Sequence, residues 1–235
     1  MLRYIINLLL MVFFAANLFA QDAGEVERIR GLRIGYDLSR PLLPLFNTDR
    51  FGQEMSADME LNQNNYVTVD FGIQTMEAER DLYNYSSNGY YGRVGFEHNF
   101  LKNLSIDQYE TVFGGFRLGY ANTNQSAKAI VIPSNYWQSD LIVGAPETSV
   151  ETYWLEVVGG VKAEVLRNIF IGWTFHARLR LYQSFDPVMQ PLNVPGFGAG
   201  EKRVNIGFSY YVYYRIPLMR YTPKEAETDN PVKKK

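Results

Sequence analysis

The chain has 235 residues, two histidines, no cysteine and a formal net charge of -2. The lack of cysteine excludes a disulfide framework, thiolate zinc sites and a lipoprotein acylation site, and two histidines give little for a transition-metal centre. The small net charge argues against general affinity for nucleic acid, and the length allows one or two domains.

In chain order, Arg3 precedes an apolar run from Tyr4 to Leu18, and Ala20 precedes a polar shift at Gln21 and Asp22. This predicts a cleaved signal peptide over 1–20, followed by a short charged segment at 21–30. No later apolar stretch is long enough for a membrane helix. The exported protein is then either soluble or a barrel.

Eight stretches of period-two alternation follow. The first, 31–39, sets Leu32, Ile34 and Tyr36 against Arg33, Gly35 and Asp37, and Pro41 and Pro44 end it. The second, 53–61, sets Met55, Ala57 and Met59 against Glu54, Ser56 and Asp58, and a tight turn at 62–65 leads to the third. There, over 66–76, Val67, Val69, Phe71 and Ile73 alternate with Thr68, Asp70, Gly72 and Gln74. A polar loop is expected at 77–88. The fourth, 89–99, sets Tyr90, Val94 and Phe96 against Tyr91, Arg93 and Glu97. The fifth, 109–121, sets Val112, Phe116, Leu118 and Tyr120 against Phe113, Gly115, Arg117 and Gly119. The longest irregular segment is expected at 122–149, where the apolar β-forming runs Ala129–Ile132 and Asp140–Val143 either form a hairpin that only extends the fifth and sixth strands above the membrane or also present Tyr136 and Trp137 at its tip. The sixth, 150–165, sets Tyr153, Leu155 and Val157 against Glu156, Val158 and Lys162, and turns at 166–168. The seventh, 169–182, sets Trp173, Phe175 and Ala177 against Thr174, His176, Arg178 and Arg180. A loop rich in proline and glycine spans 183–202. The eighth, 203–216, sets Val204, Ile206, Phe208, Tyr210, Val212 and Tyr214 against Arg203, Asn205, Gly207, Ser209 and Arg215. The charged, proline-containing tail at 218–235 has no hydrophobic period and reads as disordered.

The even strand number, the alternation of long and short connections, and one apolar row per strand together predict the fold class. It is an all-β, closed, antiparallel up-and-down transmembrane β-barrel of about eight strands over 31–217. The last strand greatly exceeds the roughly five or six residues of an ordinary strand and suits the about 9–11 of a membrane crossing. In a soluble barrel the apolar row would have to fill the lumen with Trp, Tyr, Phe, Ile and Leu from every strand. An eight-stranded barrel is only just wide enough for its inward side chains. The other row gathers acids (Asp37, Glu54, Asp58, Glu60, Asp70, Glu97, Glu156, Glu164) and bases (Arg33, Arg93, Arg117, Lys162, Arg178, Arg180, Arg203, Arg215). Those charges are expected to satisfy one another inside, because an unpaired buried charge is strongly destabilising. Aromatics near strand ends (Tyr36, Tyr66, Tyr90, Tyr120, Tyr153, Tyr182, Tyr214) are expected to form interfacial girdles.

Within the last strand, Asn205, Gly207, Tyr210 and Val212 form a polar-x-Gly-x-x-aromatic-x-apolar pattern. It resembles the terminal assembly signal of Gram-negative outer-membrane barrels, although here the chain continues to Lys235. The whole alternating region is similar to the small eight-stranded barrels of the OmpA/OmpX type. The resemblance implies an outer-membrane location, with 21–30 and the tail in the periplasm and the long loops outside. The implied partners are outer-membrane lipid and the barrel assembly machinery.

Chemistry is sparsely represented. Some small outer-membrane barrels act on lipids through a histidine with a serine and an acid. Here His176 falls in the charged row and His98 has no serine at motif spacing, and no dinucleotide or Walker fingerprint is present. No cofactor is expected. The expected function is non-enzymatic: a barrel presenting long loops for surface interaction or envelope integrity, with an extracellular or envelope protein as possible partner. A small-solute pore and a lipid-modifying enzyme are the alternatives. Within 122–149, Tyr136 and Trp137 sit between two apolar β-forming runs and are the candidate contact residues, because aromatics are favoured interface anchors.

Overall fold

The computed structural model describes residues 28–42, 44, 49–62, 64–80, 83–101, 109–132, 141–186 and 189–221. The expected signal peptide, Tyr136 and Trp137, and the tail beyond 221 lie outside the described residues. The elements are β1 (Arg28–Asp37), α1 (Ser39–Leu42), β2 (Arg50–Asn62), β3 (Asn65–Arg80), β4 (Tyr83–Asn99), β5 (Thr111–Ile132), β6 (Leu141–Leu166), β7 (Ile169–Gln183), β8 (Asn193–Val194), β9 (Gly198–Ala199) and β10 (Val204–Tyr221).

Eight long strands pair antiparallel with their neighbours in sequence, and β10 pairs β7 on one side and β1 on the other. The closing ladder runs from Arg28 opposite Tyr221 to Asp37 opposite Tyr211. The expected closed up-and-down barrel is therefore what forms. β8 and β9 make a separate two-stranded hairpin within the β7–β10 connection. Among the described residues no helix is long and apolar enough to cross a membrane.

Side-chain parity sorts the two rows as the alternation implies, because successive residues of a strand point to opposite faces. Met55, Phe71, Val94, Leu118, Val157, Trp173 and Phe208 are exposed on the outside, while Glu54, Asp70, Arg93, Arg117, Glu156, His176 and Ser209 are buried in the lumen. Glycines in the lumen row leave space for large neighbours. A Cβ on Gly35 would collide with the Tyr213 ring, one on Gly72 with Tyr91, and one on Gly119 with Trp154.

One expected loop is corrected. Residues 77–80 and 83–88 are paired strand, with β3 running to Arg80 and β4 starting at Tyr83. The alternation does not stop at Met76; its polarity inverts. Outside now come Glu77, Glu79, Asn84, Ser86 and Asn88, while Met76, Ala78 and Tyr85 turn inward and cluster. The same inversion occurs on β5, where Ala121 and Ala127 are buried and Lys128 is exposed. Above the apolar band the outer medium is water, so a strand there keeps its period and exchanges its rows. Within 122–149 the described residues 122–132 and 141–149 form the expected extension of β5 and β6, with Ile130 opposite Val143 and Ile132 opposite Leu141. Four strands, β3 to β6, thus extend beyond the band at the end opposite the chain termini.

The rim of the band on that side is aromatic. The rings of Tyr120 and Tyr153 lie 4.9 Å apart, and those of Tyr153 and Tyr182 6.1 Å apart, across adjacent strands. Tyr66 departs from the expected girdle: it is buried in the lumen, with the Arg33 guanidinium 4.6 Å from its ring centre.

Candidate functional site

The lumen holds a continuous ladder of ion pairs contributed by most strands. Near the end carrying the termini, Arg33 (β1) pairs with Asp58 (β2) at 2.6 Å, and Lys162 (β6) bridges Asp58 at 2.9 Å and Glu97 (β4) at 2.8 Å. Arg117 (β5) then joins Glu97 at 2.5 Å to Asp70 (β3) at 2.6 Å. Arg93 (β4) takes Asp70 at 3.1 Å, Glu156 (β6) at 3.4 Å and Glu54 (β2). Above it, Arg40 from α1 reaches down to Glu54 at 3.1 Å, and Arg178 (β7) reaches Glu156 at 3.3 Å. The side chains of Arg93, Glu54 and Glu156 are completely buried. Isolated charges there would be prohibitive, and alternation of sign along the ladder offsets the desolvation.

Aromatic layers close the ladder at both ends. Tyr109, Phe170, Tyr211 and Tyr213 cluster towards the termini, with the Arg215 guanidinium 3.4 Å from the centre of the Tyr109 ring. At the other end Tyr91, Ala121 and Trp154 meet Val194 and Phe197, which belong to the β7–β10 connection. That connection was expected to be loop punctuation; instead it is a plug.

The plug is held by residues of β4, β5, β6, β7 and β10. The Trp154 and Phe197 rings are 5.8 Å apart. Asn205 Nδ2 donates to Ala199 O at 2.9 Å, Gln125 Nε2 donates to Met189 O at 2.8 Å, and Leu192 N donates to Tyr85 Oη at 3.3 Å. Asp186 accepts from Gln125 Nε2 at 2.8 Å and from Thr148 Oγ1 at 2.5 Å. Arg178 Nη1 donates to Phe197 O at 3.5 Å, which ties the plug to the ion ladder. The sequence carried a signal for this: Leu192, Val194 and Phe197 are more apolar than a solvated loop requires.

Gly196 makes the tight approach possible. Its φ is +72°, and a Cβ would collide with the Tyr91 ring. Gly196→Val is expected to unseat the plug by at least about 1–3 kcal/mol, the range for such backbone strain. The barrel itself should still migrate as a heat-modifiable species, while limited proteolysis within 184–203 should accelerate. Unchanged proteolysis would mean that the plug does not depend on this contact.

The remaining candidates fall apart spatially. His176 Nδ1 bonds Glu156 in the ladder, whereas His98 Nδ1 contacts Asn65 Oδ1 at 2.8 Å across the exposed β3–β4 pair at the end carrying the termini. Asn205 and Gly207 face the lumen and have structural neighbours there: Asn205 holds the plug, and a Cβ on Gly207 would lie 2.6 Å from Arg178 Nη1. Tyr210 and Val212 lie on the outer row, with Tyr210 6.1 Å from Trp173. Arg180 and Arg203 were expected in the inward ion network, yet among the described residues neither pairs with a carboxylate. Arg180 Nη1 bonds Gln183 Oε1 at 2.7 Å and the Gly200 carbonyl instead, and Arg203 is exposed at the start of β10.

An apolar outer band with an aromatic rim, around a closed ring of eight antiparallel strands whose interior is ionic, defines a small β-barrel of the outer-membrane type. The chain belongs to the family described as "Domain of unknown function (DUF6048)", which matches residues 1–221. No curated protein matches its sequence. Among solved structures it is similar to Ail, the attachment invasion locus protein of Yersinia pestis, at 12% identity over 82% of this chain and 100% of that one, with a TM-score of 0.40. A major outer membrane protein from Thermus thermophilus is similar at 12% identity over 80% and 98% of the two chains, with a TM-score of 0.43. Neisserial surface protein A is similar at 11% identity over 83% and 100%, with a TM-score of 0.40.

Proposed function

We propose that the protein is a non-enzymatic barrel of the outer membrane that displays its extended β3–β6 end to the cell exterior, for surface interaction or envelope integrity. In this reading residues 1–20 direct export. The pattern at Asn205, Gly207, Tyr210 and Val212 engages the assembly machinery, and both termini lie in the periplasm. The observation that carries the reading is the filled lumen: the ion ladder, two aromatic layers and the plug occupy the interior, which leaves the exterior extension as the part free to act. The same filling disfavours the solute pore. His176 serves the ion ladder, which disfavours a catalytic role for it.

The absence of native cysteine provides a direct test. Tyr136→Cys should react with a membrane-impermeant maleimide on intact cells, while Asn230→Cys should react only after the outer membrane is permeabilised. The opposite pattern would overturn the orientation. Purified protein in a planar bilayer should show no stable conductance, and an open channel would overturn the filled-lumen reading. Replacing residues 134–139 with a short Gly/Ser turn should leave heat-modifiable assembly intact and remove surface binding. Survival of a binding activity in that variant would move the contact away from Tyr136 and Trp137.

A further inference from the structure

Arg180 and Arg203 border a pocket at the aromatic rim. The β6–β7 register slips here: Tyr153 lies opposite Tyr182 and Trp154 opposite Arg180, so Leu181 is an extra residue in β7. Leu181 and Tyr182 are in consequence both exposed, level with the rim. The chain then leaves the strand, and Phe185 projects with 87% of its surface exposed. Between these residues, Pro191 and the two arginines lies a pocket of about 320 Å³.

Its electrostatics differ from those of the lumen. The ladder arginines at positions 33, 40, 93, 117 and 178 each face a carboxylate. Arg180 is held in place by Gln183 and the Gly200 carbonyl, and its backbone N donates to Arg203 O at 2.9 Å, but among the described residues no carboxylate pairs with either arginine. The lone acid of the lining, Asp186, has Oδ2 turned to Gln125 and Thr148. Two cations therefore stand beside exposed apolar groups at the level where a membrane changes from hydrocarbon to head group. Guanidinium groups match phosphate oxygens in geometry as well as charge, and basic pockets at this depth suit anionic head groups.

We propose that this pocket binds the phosphorylated head group of an outer-leaflet lipid. Arg180 and Arg203 contact the phosphate, and Leu181, Tyr182 and Phe185 lie against the lipid's apolar part. The proposal rests on the reading that the extended end faces outward in the outer membrane.

The test uses the full-length folded protein in detergent, titrated with diphosphorylated lipid A and followed by native mass spectrometry. Arg203→Gln, at an exposed position outside the ladder, should weaken lipid binding about tenfold, the loss expected for a charge-assisted bond. Arg203→Lys should restore part of it, and Arg180→Gln should act in the same direction. Lipid A stripped of its phosphates should bind wild type at least as weakly as intact lipid A binds Arg203→Gln. Millimolar inorganic phosphate should not displace the lipid; complete displacement would make this a free-anion site and overturn the proposal. Equal lipid affinity in wild type and Arg203→Gln would also overturn it. Cell fractionation separates the two readings. Wild type recovered outside the outer membrane refutes the location, whereas outer-membrane recovery with equal affinities refutes the pocket alone.

Discussion

Arg93→Met is expected to be the most damaging single substitution in the lumen. Arg93 is the junction of the ladder, reaching Glu54, Asp70 and Glu156 from three different strands. Its removal leaves three buried carboxylates facing one another with fewer cations. Breaking one buried pair costs about 3–5 kcal/mol, and this value is a lower bound at a site with three partners. Equilibrium unfolding from phospholipid vesicles measures the loss. Arg178→Met, which removes a single carboxylate partner at the edge of the ladder, should cost less. A double-mutant cycle of Arg93→Met with Glu54→Leu should show a coupling of about 0.5–3 kcal/mol, because removing both partners relieves part of the imbalance. Wild-type stability of Arg93→Met would mean that water in the lumen screens the ladder and that the ladder does not hold the barrel together.

Phe208→Arg is expected to impair insertion strongly, and Asn124→Arg hardly at all, although both residues occupy the outer row. Phe208 lies within the apolar band, 62% exposed, beside Phe175 of β7. Asn124 lies on β5 beyond the Tyr120 rim, between Asn88 and Ser149. Arginine costs about 2–4 kcal/mol at the bilayer midplane and about 0–1 kcal/mol near the interfaces. Folding yield into vesicles, read from the fraction of heat-modifiable protein, should therefore fall for Phe208→Arg alone. Equal yields would show that the inversion of polarity beyond the rim does not mark the edge of the lipid.

Local alternation determined most of the barrel. Parity along one strand is intrinsic to extended backbone, so Met55 and Glu54, Val94 and Arg93, or Phe208 and Ser209 are assigned to opposite faces without knowledge of any neighbour. The number of strands, the apolar outer band and most of the lumen charges follow from that parity; Arg203, exposed at the start of β10, and Arg40, which enters from α1, do not. Trp154 obeys it too, sharing the parity of Glu156, and its indole Nε1 donates to Glu156 Oε2 at 3.1 Å.

Tertiary structure alone decided what that parity serves. Residues 77–79 and 83–88 alternate as regularly as those before them, but their polar side faces outward because the surrounding solvent has changed, and no single strand records where lipid ends. The partners of each charge are separated widely along the chain: Arg93 meets Glu156 across 63 residues, and Lys162 meets Asp58 across 104. Only closure of the ring brings them together. The plug was hidden for a related reason. Leu192, Val194 and Phe197 lie in a segment rich in glycine and proline with no sustained period, and their burial depends on a cavity whose walls, Tyr91, Ala121 and Trp154, come from three other strands. Likewise, the charge of Arg180 and Arg203 was plain in the sequence. Their lack of carboxylate partners among the described residues depends on the slipped β6–β7 register and on where the plug places the Gly200 carbonyl.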